Sequence, residues 1–116
     1  MPGYQDLKVW QISHQLTLDI YRITESFPKS EVFGIISQLR RAAYSVPSNI
    51  VEGKSRDTDK EFRRFLIIAR ASCDEVSYFL LLSKDLNFIS EDLYKTHVET
   101  CQHIASMLNN LIKRLN

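Results

Sequence analysis

Four long segments of this chain carry apolar side chains at the spacing of an α-helix, and only short polar breaks separate them. The 116 residues include three glycines and three prolines, too few for an all-β domain with its frequent turns. The sequence therefore predicts an all-α fold in a single domain, residues 1–116. Four helices are expected, at about residues 6–26, 30–53, 58–86 and 90–115. Because short links make neighbours antiparallel, we predict an up-down-up-down four-helix bundle.

Local capping signals define the ends of these helices. The expected N-cap residues are Asp6, Ser30, Thr58 and Ser90. Thr58 and Glu61 also have the spacing of a capping box. Gly53 is predicted to follow the second helix as its C′ residue, and Asn87 to end the third helix in the left-handed conformation. Gly34 is expected inside the second helix, where it would let a neighbouring helix approach closely.

Pro47 lies near the end of the second helix and predicts a bend there. Proline has no N–H and its ring crowds the carbonyl of Ala43, so the helix should bend or restart within residues 44–48. One interpretation is a structural kink that ends at the glycine cap. The other is a bend that positions polar side chains for a partner, namely Arg40, Asn49 and Glu52. Packing often causes such local departures from the rules, which favours the first interpretation.

The first and third predicted helices have wider apolar surfaces than one bundle needs. On the first helix, one face carries Leu7, Trp10, Leu18 and Tyr21, and a second carries Val9, Ile12, Leu16, Ile20 and Ile23. On the third, a seam of Phe62, Leu66, Ala69, Cys73, Val76 and Leu80 adjoins a face with Phe65, Ile68, Ser72, Phe79 and Leu82. A helix that packs on one side needs only one such stripe. The extra stripes predict that copies of the chain associate as a homo-oligomer.

No motif for catalysis or phosphate binding is visible in the sequence. It contains neither a nucleophile elbow nor a glycine-rich phosphate loop. Two pairs could each place two metal ligands on one helix face, His97 with Cys101 and Glu99 with His103. A metal site needs three or four converging ligands, and the only other histidine is His14. We therefore expect no metal, no cofactor and no enzymatic activity.

Composition also limits the cellular setting. The formal net charge of +1 gives no overall attraction to nucleic acid or to a membrane surface. Cys73 and Cys101 are too few for a disulfide scaffold and are expected to be free thiols. No signal-peptide pattern begins the chain, and no apolar run approaches the length of a membrane span, about 18 residues. A cytoplasmic protein without a membrane partner is expected.

One local cluster of basic residues stands out against this neutral background. It consists of Lys54, Arg56, Lys60, Arg63, Arg64 and Arg70. Acidic residues interleave with it at Asp57, Asp59 and Glu61. The cluster is therefore either a solvated face with intrahelical ion pairs, which the interleaving favours, or a stripe that contacts nucleic-acid phosphates. Symmetry would strengthen the second arrangement if copies of the chain place their clusters together.

Several motifs occur in a specific order along the chain. They are DLKVW at residues 6–10, Phe27-Pro28 followed by Glu31, Phe33-Gly34, QLRRAA at 38–43, SVPSNI at 45–50, and Glu52-Gly53. With these motifs the chain resembles, over nearly its whole length, the bacterial four-helix-bundle proteins of the 23S rRNA intervening-sequence family. The motif residues that the resemblance marks are Arg40, Arg41, Pro47, Asn49, Glu52 and Gly53. The resemblance implies a cytoplasmic bundle that assembles as a ring-like homopentamer and has no established enzymatic activity.

The leading hypothesis is a non-enzymatic homo-oligomer that binds nucleic acid, with structured RNA as the expected ligand, or that binds a nucleic-acid-processing partner. It rests on the resemblance and on the basic cluster between Lys54 and Arg70. The alternative is a protein-interaction scaffold without nucleic acid, in which the bend at Pro47 is purely structural. An enzyme is the least supported class, because the polar residues form no acid–base or nucleophile set.

Overall fold

The four predicted helices are present in the structure, a computed structural model that describes residues 3–115. They are α1 (Lys8–Thr24), α2 (Ile35–Lys54), α3 (Asp59–Asp85) and α4 (Glu91–Arg114). Two short 3₁₀ turns, Tyr4–Asp6 and Lys29–Glu31, precede α1 and α2. Strands are absent from the described residues, so the all-α class with four helices is confirmed. Hydropathy along the helices of residues 3–115 stays below that of a membrane-spanning segment.

The helices pack around one apolar core in a molecule that measures 43 × 23 × 20 Å. Each helix contributes fully buried side chains, among them Leu16 and Ile20 from α1, Leu39 and Ile50 from α2, Leu66 and Leu80 from α3, and Ile104 and Leu108 from α4. The apolar spacing that predicted the helices places these side chains on their inner faces. The most extensive helix contact is between α2 and α3, and the least extensive is between α1 and α4.

Two helix starts follow the predicted capping signals. The Thr58 hydroxyl accepts from the Glu61 N–H at 3.2 Å, at the start of α3. The Ser90 hydroxyl accepts from the Leu93 N–H at 3.1 Å, at the start of α4. Asn87, after α3, has a φ of 64°, the left-handed conformation predicted for it. The N-cap and Asn87 predictions are confirmed, since each depends on residues within about one turn. Only half of the capping box is present in the described residues, because the Glu61 carboxylate accepts from Arg64.

The starts of α1 and α2 differ from the prediction. Asp6 lies in the first 3₁₀ turn, and α1 begins two residues later. Ser30 lies in the second 3₁₀ turn, and α2 begins only at Ile35. Gly34 is therefore the N-cap residue of α2 and not an interior residue. The Glu31 carboxylate accepts from the Ile35 N–H at 3.4 Å, so it satisfies a first-turn donor in place of Ser30.

Gly53 is not the C′ residue of α2, so that prediction is wrong. The helix continues to Lys54, and no glycine in the described part of the chain has a positive φ. A Cβ atom on Gly53 would lie 2.8 Å from Phe65 Cβ and 2.9 Å from Phe62 Cδ1, both on α3. Glycine is required because α2 and α3 approach closely at this point, and the local sequence does not reveal a contact between helices.

The chain runs as one uninterrupted helix through Pro47, so the predicted stop and restart does not occur. The carbonyl of Ala43, which has no helical donor at Pro47, accepts instead from the Thr17 hydroxyl of α1 at 3.1 Å. The same hydroxyl lies 2.9 Å from the Ser13 carbonyl, so the two carbonyls share one proton. A neighbouring helix thus satisfies the buried carbonyl that the proline frees.

Replacing Thr17 with valine is expected to lower the free energy of unfolding by about 1–3 kcal/mol, because the buried Ala43 carbonyl loses its donor. Replacing Pro47 with alanine supplies an N–H for that carbonyl. In a Pro47→Ala background, Thr17→Val should therefore cost about 1 kcal/mol less. Urea unfolding of the four proteins in this double-mutant cycle measures the difference. Equal costs in both backgrounds would contradict the assignment of this hydrogen bond.

Part of the wide apolar surface that the sequence predicts for α1 and α3 is exposed in a single chain. Leu18 and Tyr21 on α1 and Ile68 on α3 lie at the surface, although the neighbouring stripes on the same helices are buried. Tyr44 on α2 and Tyr78 on α3 add to the exposed aromatic surface. This surface is available for the association that the sequence predicts.

Candidate nucleic-acid interface

The turn between α2 and α3 holds most of the predicted basic cluster. Lys54 ends α2, Arg56 lies in the turn, and Lys60, Arg63 and Arg64 belong to the first two turns of α3. Arg63 is half-buried and the other four are exposed. Because two helix ends meet at this turn, the structure brings together five of the six basic residues that the sequence singled out.

Arg70, the sixth residue of the cluster, lies apart from the others. Its guanidinium donates to Asn109 Oδ1 at 2.7 Å, and the side chain is half-buried between α3 and α4. Arg63 lies two turns earlier on α3, and its Nε atom is buried. These two arginines therefore present less charge to solvent than their sequence spacing suggested.

Two of the exposed arginines form ion pairs within their own segments. Arg56 donates to Glu52 at 2.9 Å, and Arg64 donates to Glu61 at 3.2 Å. The hydrogen bond from the Arg64 guanidinium, together with its positive charge, holds the pKa of Glu61 below its usual value. Such exposed pairs contribute little to stability, so a ligand with several phosphates can compete for these arginines.

Two phenylalanine rings lie against the basic side chains around this turn. Arg56 Cζ lies 4.8 Å and Arg64 Cζ 4.6 Å from the ring centroid of Phe65. Lys54 Nζ lies 5.7 Å from the ring centroid of Phe62. Contacts of this kind hold guanidinium groups in place while their edges remain able to donate. Sequence reasoning did not predict these contacts, although the two phenylalanines among the basic residues were a usable signal.

A second basic site lies between the start of α1 and the end of α4. Lys8 and Arg114 flank a cleft of about 200 Å³ there, with Leu7 and Leu111 among its apolar lining residues. Lys113 precedes Arg114 in the last turn of α4. Sequence reasoning missed this site because its cations come from opposite ends of the chain, and no local pattern connects them.

Arg40, one of the polar residues expected at the bend, is bound within the chain. Its Nε donates to Thr24 Oγ1 at 2.8 Å and one Nη donates to the Tyr21 carbonyl at 3.2 Å. Its guanidinium also lies 4.6 Å from the ring centroid of Tyr21. Arg40 therefore satisfies groups at the C-terminal end of α1. Arg41 is exposed and makes no hydrogen bond or ion pair within residues 3–115.

The other two polar residues at the bend also have partners in the chain. The Asn49 amide donates to the carbonyl and hydroxyl of Ser45 at 2.7 and 3.0 Å. The Ser45 hydroxyl lies 2.8 Å from the hydroxyl of Ser72 on α3. Glu52 forms the ion pair with Arg56 at 2.9 Å. These contacts support the structural interpretation of the segment around the proline.

The possible metal ligands on α4 divide between core and surface. His97 and Cys101 are buried, whereas Glu99 and His103 are exposed. Burial lowers the pKa of His97. The neighbouring Cys101 side chain and burial raise the pKa of Cys73, whose thiol donates to the Cys101 carbonyl at 3.2 Å. In the part of the chain that the structure describes, no three His, Cys, Asp or Glu side chains are placed to hold a metal ion.

Comparison with known proteins gives a family and a fold. A family model described as 23S rRNA-intervening sequence protein matches residues 5–110. The chain is also similar to a crystal structure of a protein with unknown function from the S23 ribosomal protein family of Bacteroides thetaiotaomicron. That similarity has a TM-score of 0.84 at 23% identity and covers 90% of this chain and 95% of the other, and it supports the fold alone. A search of curated proteins gives no match.

Proposed function

This chain belongs to the 23S rRNA-intervening sequence protein family, and from that membership we propose a non-enzymatic homopentamer that binds nucleic acid in the cytoplasm. Structured RNA is the proposed ligand. The observation that carries the proposal is the set of basic side chains at the α2–α3 turn, ordered by Phe62 and Phe65. Binding to a phosphate backbone requires such cations close together on the surface.

The charge of the chain is unevenly distributed, which supports the proposal. Residues 3–10, 52–64 and 110–115 contain eight of the 15 lysines and arginines but only five of the 14 acidic residues. The cleft beside Lys8 joins the first of these segments to the third, and the 3₁₀ turn Tyr4–Asp6 in the first segment contacts α2, which ends in the second. The small net charge therefore conceals a basic region, and the local charge governs attraction to phosphate.

We further propose that neighbouring helices are antiparallel, in up-down-up-down order. Thr17 contacts Ala43, whereas Thr24, further along α1, contacts the earlier residue Arg40 of α2. The same reversal holds between α3 and α4, for Arg70 with Asn109 and for Lys84 with Glu91. This order puts the ends of α2 and α4 beside the starts of α1 and α3, so the basic segments share one end of the bundle.

Self-association would multiply the basic surface. Leu18, Tyr21 and Ile68 supply exposed apolar area for contacts between copies. Five copies in a ring, the number that the family resemblance implies, would present five basic regions to one RNA molecule. Simultaneous contacts raise the overall affinity well above that of one copy.

Reversing the charge of Lys60 and Arg64 together is expected to weaken RNA binding by about tenfold or more at low salt, because both exposed side chains lie in the proposed interface. The slope of log affinity against log salt should also become shallower by about one for each phosphate that the protein no longer neutralises. Fluorescence anisotropy with a structured RNA at several salt concentrations measures both quantities.

The matched control is a double variant, Arg22→Glu with Lys95→Glu, which makes the same change in net charge at exposed positions on α1 and α4. It should leave most of the affinity intact. Equal losses in the two double variants would argue against a localised interface. A wild-type protein that binds neither RNA nor DNA at low salt would reject nucleic-acid binding altogether.

A protein-interaction scaffold is the second candidate function. It is favoured by one observation, that Arg56 and Arg64 already have carboxylate partners in Glu52 and Glu61. On this proposal the basic turn is a solvated surface and the exposed aromatic residues bind protein. Affinity capture that recovers the same protein after nuclease treatment, with no RNA binding by the purified chain, would distinguish the scaffold from the nucleic-acid binder.

A further inference from the structure

Phe33 is the most exposed large apolar side chain in the described part of the molecule. It is 93% exposed, whereas Tyr78, the next in order, is 56% exposed. A phenyl side chain can bury about 150–250 Å² of surface in a contact. Single exposed apolar residues are normal, whereas an exposed aromatic side chain next to other apolar surface marks an interaction site.

The backbone that carries Phe33 is held by hydrogen bonds. The N–H of Glu31 donates to the Pro28 carbonyl at 2.9 Å, and the N–H of Gly34 donates to the Glu31 carbonyl at 3.0 Å. The Gly34 carbonyl in turn accepts from the Gln38 N–H at 3.1 Å. These consecutive turns hold Phe33 just before α2, with its side chain pointing away from the core of its own chain.

A pocket of about 400 Å³ opens beside this segment, between the end of α1 and the start of α2. Phe27, Val32 and Ile36 form its apolar wall. Although Val32 precedes Phe33 directly, the Phe33 ring remains in solvent and does not enter the pocket. The same corner of the molecule thus has an unfilled apolar pocket and an unburied aromatic side chain.

The charges at the pocket favour binding of the segment that carries Phe33. Lys29 and Arg40 line the pocket together with one carboxylate, Glu25, so its rim has a net positive charge. The segment Ser30–Phe33 carries one charged group, the carboxylate of Glu31. An incoming copy of this segment would therefore place a negative charge near a positive rim as its ring enters the apolar wall.

We infer that Phe33 of one copy of the chain occupies the Phe27–Val32–Ile36 pocket of the next copy. In the proposed assembly each copy gives its Phe33 side chain to one neighbour and receives one from the other, a heterologous contact of the kind that closes into a ring of copies when the rotation between them allows it. The inference rests on the self-association proposed above and identifies a contact that stabilises it. The occupant is a second copy because the ring and the charges that fit the pocket belong to this chain.

Light scattering at high protein concentration tests the effect of the ring. Phe33→Ala should reduce the assembly to smaller species, and Val32→Trp, which fills the pocket from its exposed wall, should do the same. Leu93→Ala removes another surface apolar side chain, 41% exposed on α4, and should leave the mass unchanged. Circular dichroism is the check that all three variants are folded. If the wild type assembles and Phe33→Ala has the same mass, this contact is overturned but self-association is not. If the wild type is a monomer, both are overturned.

Cross-linking between copies tests the position of the segment that carries Phe33 and leaves Phe33 itself unchanged. A mixture of Ser30→Cys and Glu25→Cys proteins should form a disulfide-linked heterodimer under mild oxidation, because Ser30 is an exposed residue of the incoming segment and Glu25 lines the receiving pocket. The native thiols of Cys73 and Cys101 are buried and should not interfere. A mixture of Ser30→Cys with Lys95→Cys, an exposed position on α4, sets the background. Cross-linking no greater than this background would overturn the proposal.

Discussion

Replacing Gly53 with alanine is expected to lower the free energy of unfolding by about 1–3 kcal/mol. The new methyl group would lie 2.8 Å from Phe65 Cβ and 2.9 Å from Phe62 Cδ1, closer than carbon atoms normally approach. Phe65 Cβ is bonded directly to the backbone of α3, so relief requires α2 and α3 to move apart. The resulting disruption of packing outweighs the gain of about 1 kcal/mol that alanine brings inside a helix.

Urea unfolding followed by circular dichroism measures this effect. Gly3→Ala is the matched control, because a Cβ there would have no heavy atom within 4 Å, and it should change stability by less than about 0.5 kcal/mol. If Gly53→Ala were as stable as the wild type, α2 and α3 could separate at this turn without cost.

Under the proposed function, the same variant should also weaken RNA binding, because the contact sets the spacing of the basic side chains.

Replacing Arg40 with alanine is expected to cost about 2–3 kcal/mol of folding free energy. The change removes two hydrogen bonds from a charged donor, to the Thr24 hydroxyl and the Tyr21 carbonyl, and the contact with the Tyr21 ring. It also leaves groups at the end of α1 without their partner. Partial exposure of the guanidinium keeps the cost below that of a fully buried charged network.

The adjacent arginine provides a matched control for this prediction. Arg41→Ala removes the same side chain from an exposed position and should change stability by less than about 0.5 kcal/mol. Arg40→Lys should recover little of the stability, because an ammonium group cannot reproduce the fork that reaches both acceptors. Equal unfolding free energies for Arg40→Ala and Arg41→Ala, measured in urea, would contradict the structural role of Arg40.

In α2 the sequence predicts the role of Gly53 wrongly and leaves two interpretations for Arg40. Gly53 was expected to end α2 with a left-handed residue, because glycine after a helical run is the common C′ signal. It is instead an interior helical residue at a close helix contact. For Arg40 the sequence favours a structural role over a position for a partner, and the hydrogen bond to Thr24 at the end of α1 supports the structural role. Neither contact has a counterpart in the nearby sequence.

The basic interface was predicted in part. The sequence placed Lys54, Arg56, Lys60 and Arg64 near one turn, because they follow one another closely along the chain. It did not predict that Arg70 reaches Asn109 or that Phe65 lies between two guanidinium groups, since both depend on side-chain direction around α3. Nor could it join Lys8 with Arg114, which only the packing of α1 against α4 brings together.

The sequence by itself determined the all-α class, the four helices and the starts of α3 and α4, because apolar spacing and N-cap hydrogen bonds act over a few residues. Only the tertiary structure decided how α2 passes through Pro47, since the donor for the freed carbonyl is Thr17 on another helix. It also decided that α2 begins at Ile35 and that Gly53 must lack a side chain. Interactions within one turn can be read from residue spacing, whereas contacts between helices depend on distances that exist only once the chain has folded.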